Sequence, residues 1–358
     1  MRERATSRRR KTLTFRPGPC LTRVRCSHPL LFAACLVGCG ADHGETDKGT
    51  PTSQDRVTAA GVQEHTLSHD GMERLYLAVS PGAAAAQSLP LVLVLHGGGG
   101  NARQAMESMR LSGLVERGAL VVYPEGTSKK VLGKKLATWN AGACCGGAAA
   151  DKIDDVGFLG RVIDDVTARY PVDPRRVYVT GHSNGAMMSY RAGCELSERI
   201  AAIAPVGGQN VDPDCRPKRP LPTLHLHGGA DHCASYDGGS CGGCFKEAFG
   251  IGDLRWPCAP VPDAVRDWAK AQGCSGAAAQ AAAQGAASCQ SFGCAAPAEI
   301  TLCTLPGVGH GFPGGTSPMC ARAPDGRMCQ RWQSATGPSA DDFPTADVLW
   351  SFFSRHTR

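Results

Sequence analysis

Apolar positions along the chain follow two periods. Leu91-Val92-Leu93-Val94-Leu95 and Ala119-Leu120-Val121-Val122-Tyr123 are unbroken apolar runs, which read as central strands covered on both faces. Segments 176–180, 200–206, 221–226 and 298–305 read as further strands. Between them, 103–117, 154–170 and 261–272 carry apolar residues at helical spacing, and 345–353 predicts a closing helix. This alternation predicts an α/β fold: a doubly wound, mainly parallel sheet with helices on both faces. Ahead of it, 63–80 divides into two alternating runs about Asp70-Gly71, a hairpin at a sheet edge. Segments 81–90, 125–150, 275–293 and 316–342 show neither period and predict loops. The 275–293 stretch, rich in Ala, Gln, Gly and Ser, predicts the least order.

The 358 residues suffice for one large α/β domain with a full core. The formal charge of +6 is misleading, because residues 1–38 contribute +8 and leave −2 for the remainder. A near-neutral body excludes nucleic acid as the partner, since that binding needs concentrated basic charge. Within the leader, Leu30–Val37 is apolar but too short to span a bilayer as a helix. Leu36-Val37-Gly38-Cys39 resembles a bacterial lipobox, which makes Cys39 the candidate for lipidation and the sole expected membrane contact. The predicted organisation is a lipoprotein-type signal peptide at 1–38, a polar, flexible tether at 39–60 and a folded domain at 61–358.

Cysteine usage supports export. Of 18 cysteines, Cys20, Cys26 and Cys35 fall in the leader and Cys39 would carry lipid. The fourteen left can form up to seven disulfides in an oxidising compartment. Residues 232–260 are rich in Gly and Cys and predict a disulfide-stapled insertion. Cys241-x-x-Cys244 with His232 and Cys233 has zinc-like spacing, but export favours disulfides and no metal is expected. One pairing, Cys274–Cys303, is expected to link a helix end to the penultimate strand.

The candidate chemistry centres on Gly181-His182-Ser183-Asn184-Gly185, which follows the β-branched and aromatic run Val177–Thr180 and precedes small and apolar residues at helical spacing. Strand, G-x-S-x-G and helix together predict a tight turn that lifts Ser183 above the sheet at a helix N-terminus. A serine hydroxyl becomes nucleophilic when an imidazole takes its proton and a carboxylate steadies that imidazole. In this strand–turn–helix setting the chain order is Ser, acid, His. His310 follows a strand, lies between glycines and is C-terminal to the other members, so it is the candidate base. Asp231, just past the strand 221–226, is the candidate acid, with Asp237 the runner-up in its loop. His182 is expected to point away from the serine, His96 to pack and hydrogen-bond, and His225 and His227 to pack. The main-chain amides of Gly98, in His96-Gly97-Gly98-Gly99-Gly100, and of Asn184 are the candidate oxyanion donors.

These motifs also resemble a known family. The His96–Gly100 run, Trp139 through Cys144-Cys145-Gly146, Asp154-Asp155-Val156-Gly157-Phe158, the Gly181–Gly185 turn, His227-Gly228 with Asp231, and Gly309-His310 with Pro313-Gly314 are similar to the esterase/polyhydroxybutyrate depolymerase family. That family includes feruloyl and acetylxylan esterases. The resemblance covers about Val62 to Phe353. It implies an α/β-hydrolase fold with disulfide-stapled loops, secretion, no cofactor, and hydrolysis of carboxylic esters on plant polysaccharide or polyester. Feruloyl or acetyl esters are the first expectation, polyhydroxyalkanoate the alternative and peptide substrates the second alternative. Trp139 and Phe312 are expected to contact substrate; Phe312 stands where the family usually has Trp.

Overall fold

The apolar runs pair into one ten-stranded sheet. The computed structural model describes residues 61–82, 88–131, 134–250 and 255–358. The leader, the tether and Cys39 lie outside them. Strands β1 (Val62–His69) and β2 (Met72–Val79) form an antiparallel hairpin whose turn residues, Asp70 and Gly71, both have positive φ. β2 continues antiparallel onto β4 (Leu120–Pro124). Then β4, β3 (Leu89–Leu95), β7 (Val172–His182), β8 (Ala202–Val206), β9 (Thr223–Gly228) and β14 (Ile300–Leu305) run parallel. An antiparallel pair, β13 (Ala287–Phe292) and β12 (Ala278–Gln284), closes the far edge. This is the α/β-hydrolase arrangement that the motifs implied.

Alternation along each strand sends side chains to two cores. Leu91, Leu93 and Leu95 of β3 join a cluster with Phe158, Leu159 and Met188, supplied by α3 (Asp155–Arg169) and α4 (Asn184–Glu195). Val92 and Val94 face the other cluster, with Met106 of α1 (Ala102–Met109) and Phe352 of α8 (Thr345–Phe353). Every side chain of β3 is buried, as a strand sandwiched between helices requires. Helix α2 (Gly146–Ala150) precedes α3, while α5 (Cys244–Phe249), α6 (Val261–Ala271) and α7 (Arg327–Thr336) lie after β9 in the chain.

Four of the expectations are corrected. Residues 278–292 are a β-hairpin, not a poorly ordered loop; Ala, Gln and Ser hide its alternation, yet Ala287, Cys289 and Phe292 turn inward. The expected Cys274–Cys303 pairing is wrong. Cys303 lies directly opposite Cys289 in the antiparallel register and bonds to it, while Cys274 bonds to Cys294 beyond the end of β13. Helix α7 occupies part of the expected 316–342 loop; few of its residues are apolar, so the helical period is faint. The 125–150 loop holds the hairpin β5 (Thr127–Val131) and β6 (Lys134–Thr138). The remaining disulfides are Cys144–Cys145, Cys194–Cys215, Cys233–Cys244, Cys241–Cys258 and Cys320–Cys329. Of these, Cys233–Cys244 and Cys241–Cys258 staple β10 (Gly239–Cys241), β11 (Trp256–Cys258) and α5 within the insertion.

A buried ion pair ties β2 to the N-terminus of α3. Arg74 Nη2 donates to Asp155 Oδ1 at 2.7 Å, and Asp155 Oδ2 accepts the Asn140 amide at 2.8 Å. Burial pushes the Asp155 carboxyl up, against the pull of Arg74. Removing one partner strands the other's charge in the interior. Arg74→Leu is therefore expected to lower unfolding free energy by about 3 to 5 kcal/mol. Urea denaturation checks this, and the Arg74→Leu/Asp155→Leu double variant is expected to lose less than the single one.

Candidate active site

The elbow forms because two glycines let three backbones crowd together. Ser183 has φ 57° and ψ −119°, a conformation rare for a residue with a side chain. A Cβ on Gly185 would lie 2.6 Å from the His96 carbonyl oxygen and closer still to that of Leu95. One on Gly181 would lie 2.5 Å from the Gly185 carbonyl oxygen. The Ser183 amide donates to Val206 O on the neighbouring strand at 2.9 Å, which holds the strained residue in place. Its hydroxyl makes no capping bond to α4 and is left for another partner.

That partner is His310. Its Nε2 lies 2.8 Å from Ser183 Oγ, and its Nδ1 lies 2.7 Å from Asp231 Oδ2. The carboxylate can only accept, so the hydrogen sits on Nδ1 and the Nε2 lone pair faces the serine hydroxyl. Asp231 Oδ1 accepts the amides of Cys233 and Ala234 at 2.7 and 2.8 Å. Burial alone would raise the Asp231 carboxyl, but the His310 charge, with hydrogen bonds from His227 and His310, outweighs it and holds it well below the usual carboxylate range. The His310 main chain is fixed at both ends. Its amide donates to Thr336 O at 2.7 Å, and its carbonyl accepts from His182 Nε2 at 2.7 Å. Asp237 is exposed and has no such place.

Beside the serine, the Gly99 and Gly100 amides donate to Ala137 O and Gly97 O. The amides of Gly98 and Asn184 donate to no acceptor among the described residues. A Cβ on Gly98 would lie 3.6 Å from the Asn184 Cβ, so these two amides belong to adjoining backbones. The Asn184 side chain is engaged elsewhere: Oδ1 accepts the Trp139 amide at 2.7 Å, and Nδ2 donates to the Trp139 carbonyl at 3.0 Å.

The expected substrate contact at Trp139 is corrected. Trp139 is 0% exposed, and its indole N–H donates to His96 O at 2.9 Å, so it braces the glycine loop from below. Phe312 is 8% exposed, with its ring edge-on to His182. Three contributors were not legible as such. His182 holds the His310 carbonyl, His227 reaches the Asp231 carboxylate at 3.3 Å, and Phe245 of the insertion lies over Gly99. For His227 a signal did exist, since His225 and His227 at i, i+2 share one face of a buried strand. The cysteines with zinc-like spacing are bonded as Cys233–Cys244 and Cys241–Cys258, and among the described residues no group of three or more potential ligands is placed to hold a metal.

Burial lowers His96 to about 4 and His182 to about 3, in the latter case aided by the His310 charge. Both are therefore neutral when folded, while the unfolded chain protonates them below about 6.5. The unfolded state then binds more protons, so stability falls as pH drops from about 6.5 toward 4. His96 alone accounts for on the order of 3 kcal/mol. Melting temperature is expected to decline across that window, and to decline less in a folded His96→Asn variant.

The fold and this row of groups at the strand ends define the class, an α/β-hydrolase. The family model described as "Esterase PHB depolymerase" matches residues 73–209. "Putative esterase NocK" of Nocardia uniformis subsp. tsuyamanensis is 32% identical over 284 residues, covering 76% of this chain and 80% of that protein. "Feruloyl esterase B" of Piromyces equi is 31% identical over 231 residues, covering 63% of this chain and 40% of that one. Among solved structures, an acetyl xylan esterase from Aspergillus awamori superposes with a TM-score of 0.47 at 15% identity, covering 70% of this chain and 94% of that one. The chain belongs to the esterase/polyhydroxybutyrate depolymerase family and is a carboxylic ester hydrolase.

Proposed function

We propose that this chain is an exported serine esterase acting through an acyl-enzyme on feruloyl or acetyl esters of plant polysaccharide. The observation that carries the reading is the unbroken row Ser183 Oγ, His310 and Asp231, at 2.8 and 2.7 Å. His310 takes the hydroxyl proton as Ser183 attacks the ester carbonyl. The resulting oxyanion accepts the amides of Gly98 and Asn184. His310 then returns the proton to the departing alcohol, and a water molecule deprotonated by His310 releases the acid. Asp231, ionised throughout, steadies the imidazolium.

An aromatic acyl group is favoured by what borders the glycine loop. Phe245, Phe249 and Trp332 are half-buried, both phenylalanine rings contact Trp332, and Phe245 approaches Gly99. Trp332 lies one turn before Thr336, whose carbonyl holds the His310 amide. Export is supported by the leader and by the seven disulfides among the described residues; a lipid on Cys39 would then anchor the domain through the 39–60 tether. The test is a hydrolysis panel of methyl ferulate, acetylated xylan, hydroxybutyrate oligomers and a peptide. Turnover of the first two well above the others is expected. Preferred turnover of hydroxybutyrate oligomers or peptide overturns the substrate assignment.

A further inference from the structure

Behind Asp231 lies a second row of hydrogen bonds for which simple packing gives no reason. His225 and His227 point to the same side of β9, are both fully buried, and stack with centroids 5.2 Å apart. Tyr190 Oη lies 2.8 Å from His225 Nδ1, and His225 Nε2 lies 2.9 Å from His227 Nδ1. His227 Nε2 lies 2.8 Å from Ala234 O and 3.3 Å from Asp231 Oδ2. Aliphatic side chains would fill this space without burying polar groups.

The proton positions follow from the end of the row. The Ala234 carbonyl only accepts, so a hydrogen sits on His227 Nε2, and the same hydrogen faces Asp231 Oδ2. Neutral His227 then accepts at Nδ1 from His225 Nε2–H, and His225 Nδ1 accepts from the Tyr190 hydroxyl. Burial keeps His225 far below the usual imidazole range and pushes the Tyr190 hydroxyl up. Tyr236 also faces His227 edge-on at 6.0 Å, but its hydroxyl is engaged with Thr304. Asp231 thereby meets four donors: two amides on Oδ1, and the two imidazoles His310 and His227 on Oδ2.

We propose that His227, oriented by His225 and Tyr190, is a positioning residue that fixes the oxygen Asp231 presents to His310 and moderates its charge. This rests on the Ser183–His310–Asp231 reading. Without the His227 donor, Oδ2 is held by His310 alone, and its undiluted charge favours protonation of the base.

The test uses p-nitrophenyl acetate and active-site titration with a fluorophosphonate, so that rates are counted per reactive serine. For His227→Leu, kcat per titrated site is expected to fall about 10- to 100-fold with little change in KM. The acid limb of kcat/KM is expected to move to higher pH. His227→Gln, which keeps a donor near Nε2, is expected to restore most of both. Should His227→Leu fail to fold, Tyr190→Phe is expected to move the limb the same way by less. An acid limb that stays at the wild-type pH in the folded variants overturns the proposal, whatever happens to the number of titrated sites. Failure of the fluorophosphonate to label wild-type protein would instead remove the serine reading on which the proposal rests.

Discussion

Replacing Ser183 with alanine is expected to lower kcat on p-nitrophenyl acetate by about 10⁶-fold. The loss is this large because, in the mechanism proposed, Ser183 alone forms the covalent intermediate. His310 would keep its bond to Asp231 at 2.7 Å but face a methyl group. The amides of Gly98 and Asn184 would remain in place, so a residual acceleration of roughly 10³-fold over water is expected. Stability is expected to stay within about 1 kcal/mol of wild type, because the Ser183 side chain does not cap α4 and only one hydrogen bond is lost. The check is kcat together with intact-mass analysis after fluorophosphonate treatment. The wild type gains one phosphonyl group and Ser183→Ala gains none. Turnover retained within tenfold, or labelling that persists in the variant, would move the nucleophile elsewhere.

Much of this site was legible in the sequence because its geometry is local. The β-branched and aromatic run, G-x-S-x-G and the helix behind it define the elbow within a dozen residues. Loops at the ends of 221–226 and 298–305 could be placed because buried parallel strands leave long apolar runs. Their convergence follows from parallel pairing: β3, β7, β8, β9 and β14 all end at one rim. Less legible were features decided by tertiary contacts. Trp139 reads as an aromatic in a long loop, the usual profile of a binding residue. Only the packed structure shows its backbone clamped by Asn184 and its indole N–H on His96 O. The 278–292 hairpin was hidden because Ala and Gln carry little strand preference, and two disulfides and pairing to β14 hold it instead. The disulfide partners were unreadable for a related reason, since register rather than spacing puts Cys289 opposite Cys303.

Asp231→Asn is expected to lower kcat by about 10⁴-fold without unfolding the protein. The asymmetry of the carboxylate's surroundings gives this substitution its meaning. Oδ1 accepts two amides, from Cys233 and Ala234, while Oδ2 meets the two imidazole N–H groups of His310 and His227. An asparagine keeps its oxygen on the two amides, so the 231–234 turn survives. Its NH₂ group then confronts two donors. His310 can relieve the conflict by moving its hydrogen to Nε2, which leaves no lone pair for the Ser183 proton. His227 has no such escape, because Ala234 O still requires a hydrogen on its Nε2. The imidazolium formed during attack also loses the one negative charge in contact with it. Near-wild-type circular dichroism with kcat down by several powers of ten is the expected pair of results. A loss of less than tenfold in a folded Asp231→Asn variant would mean that another group, and not this buried carboxylate, orients the histidine.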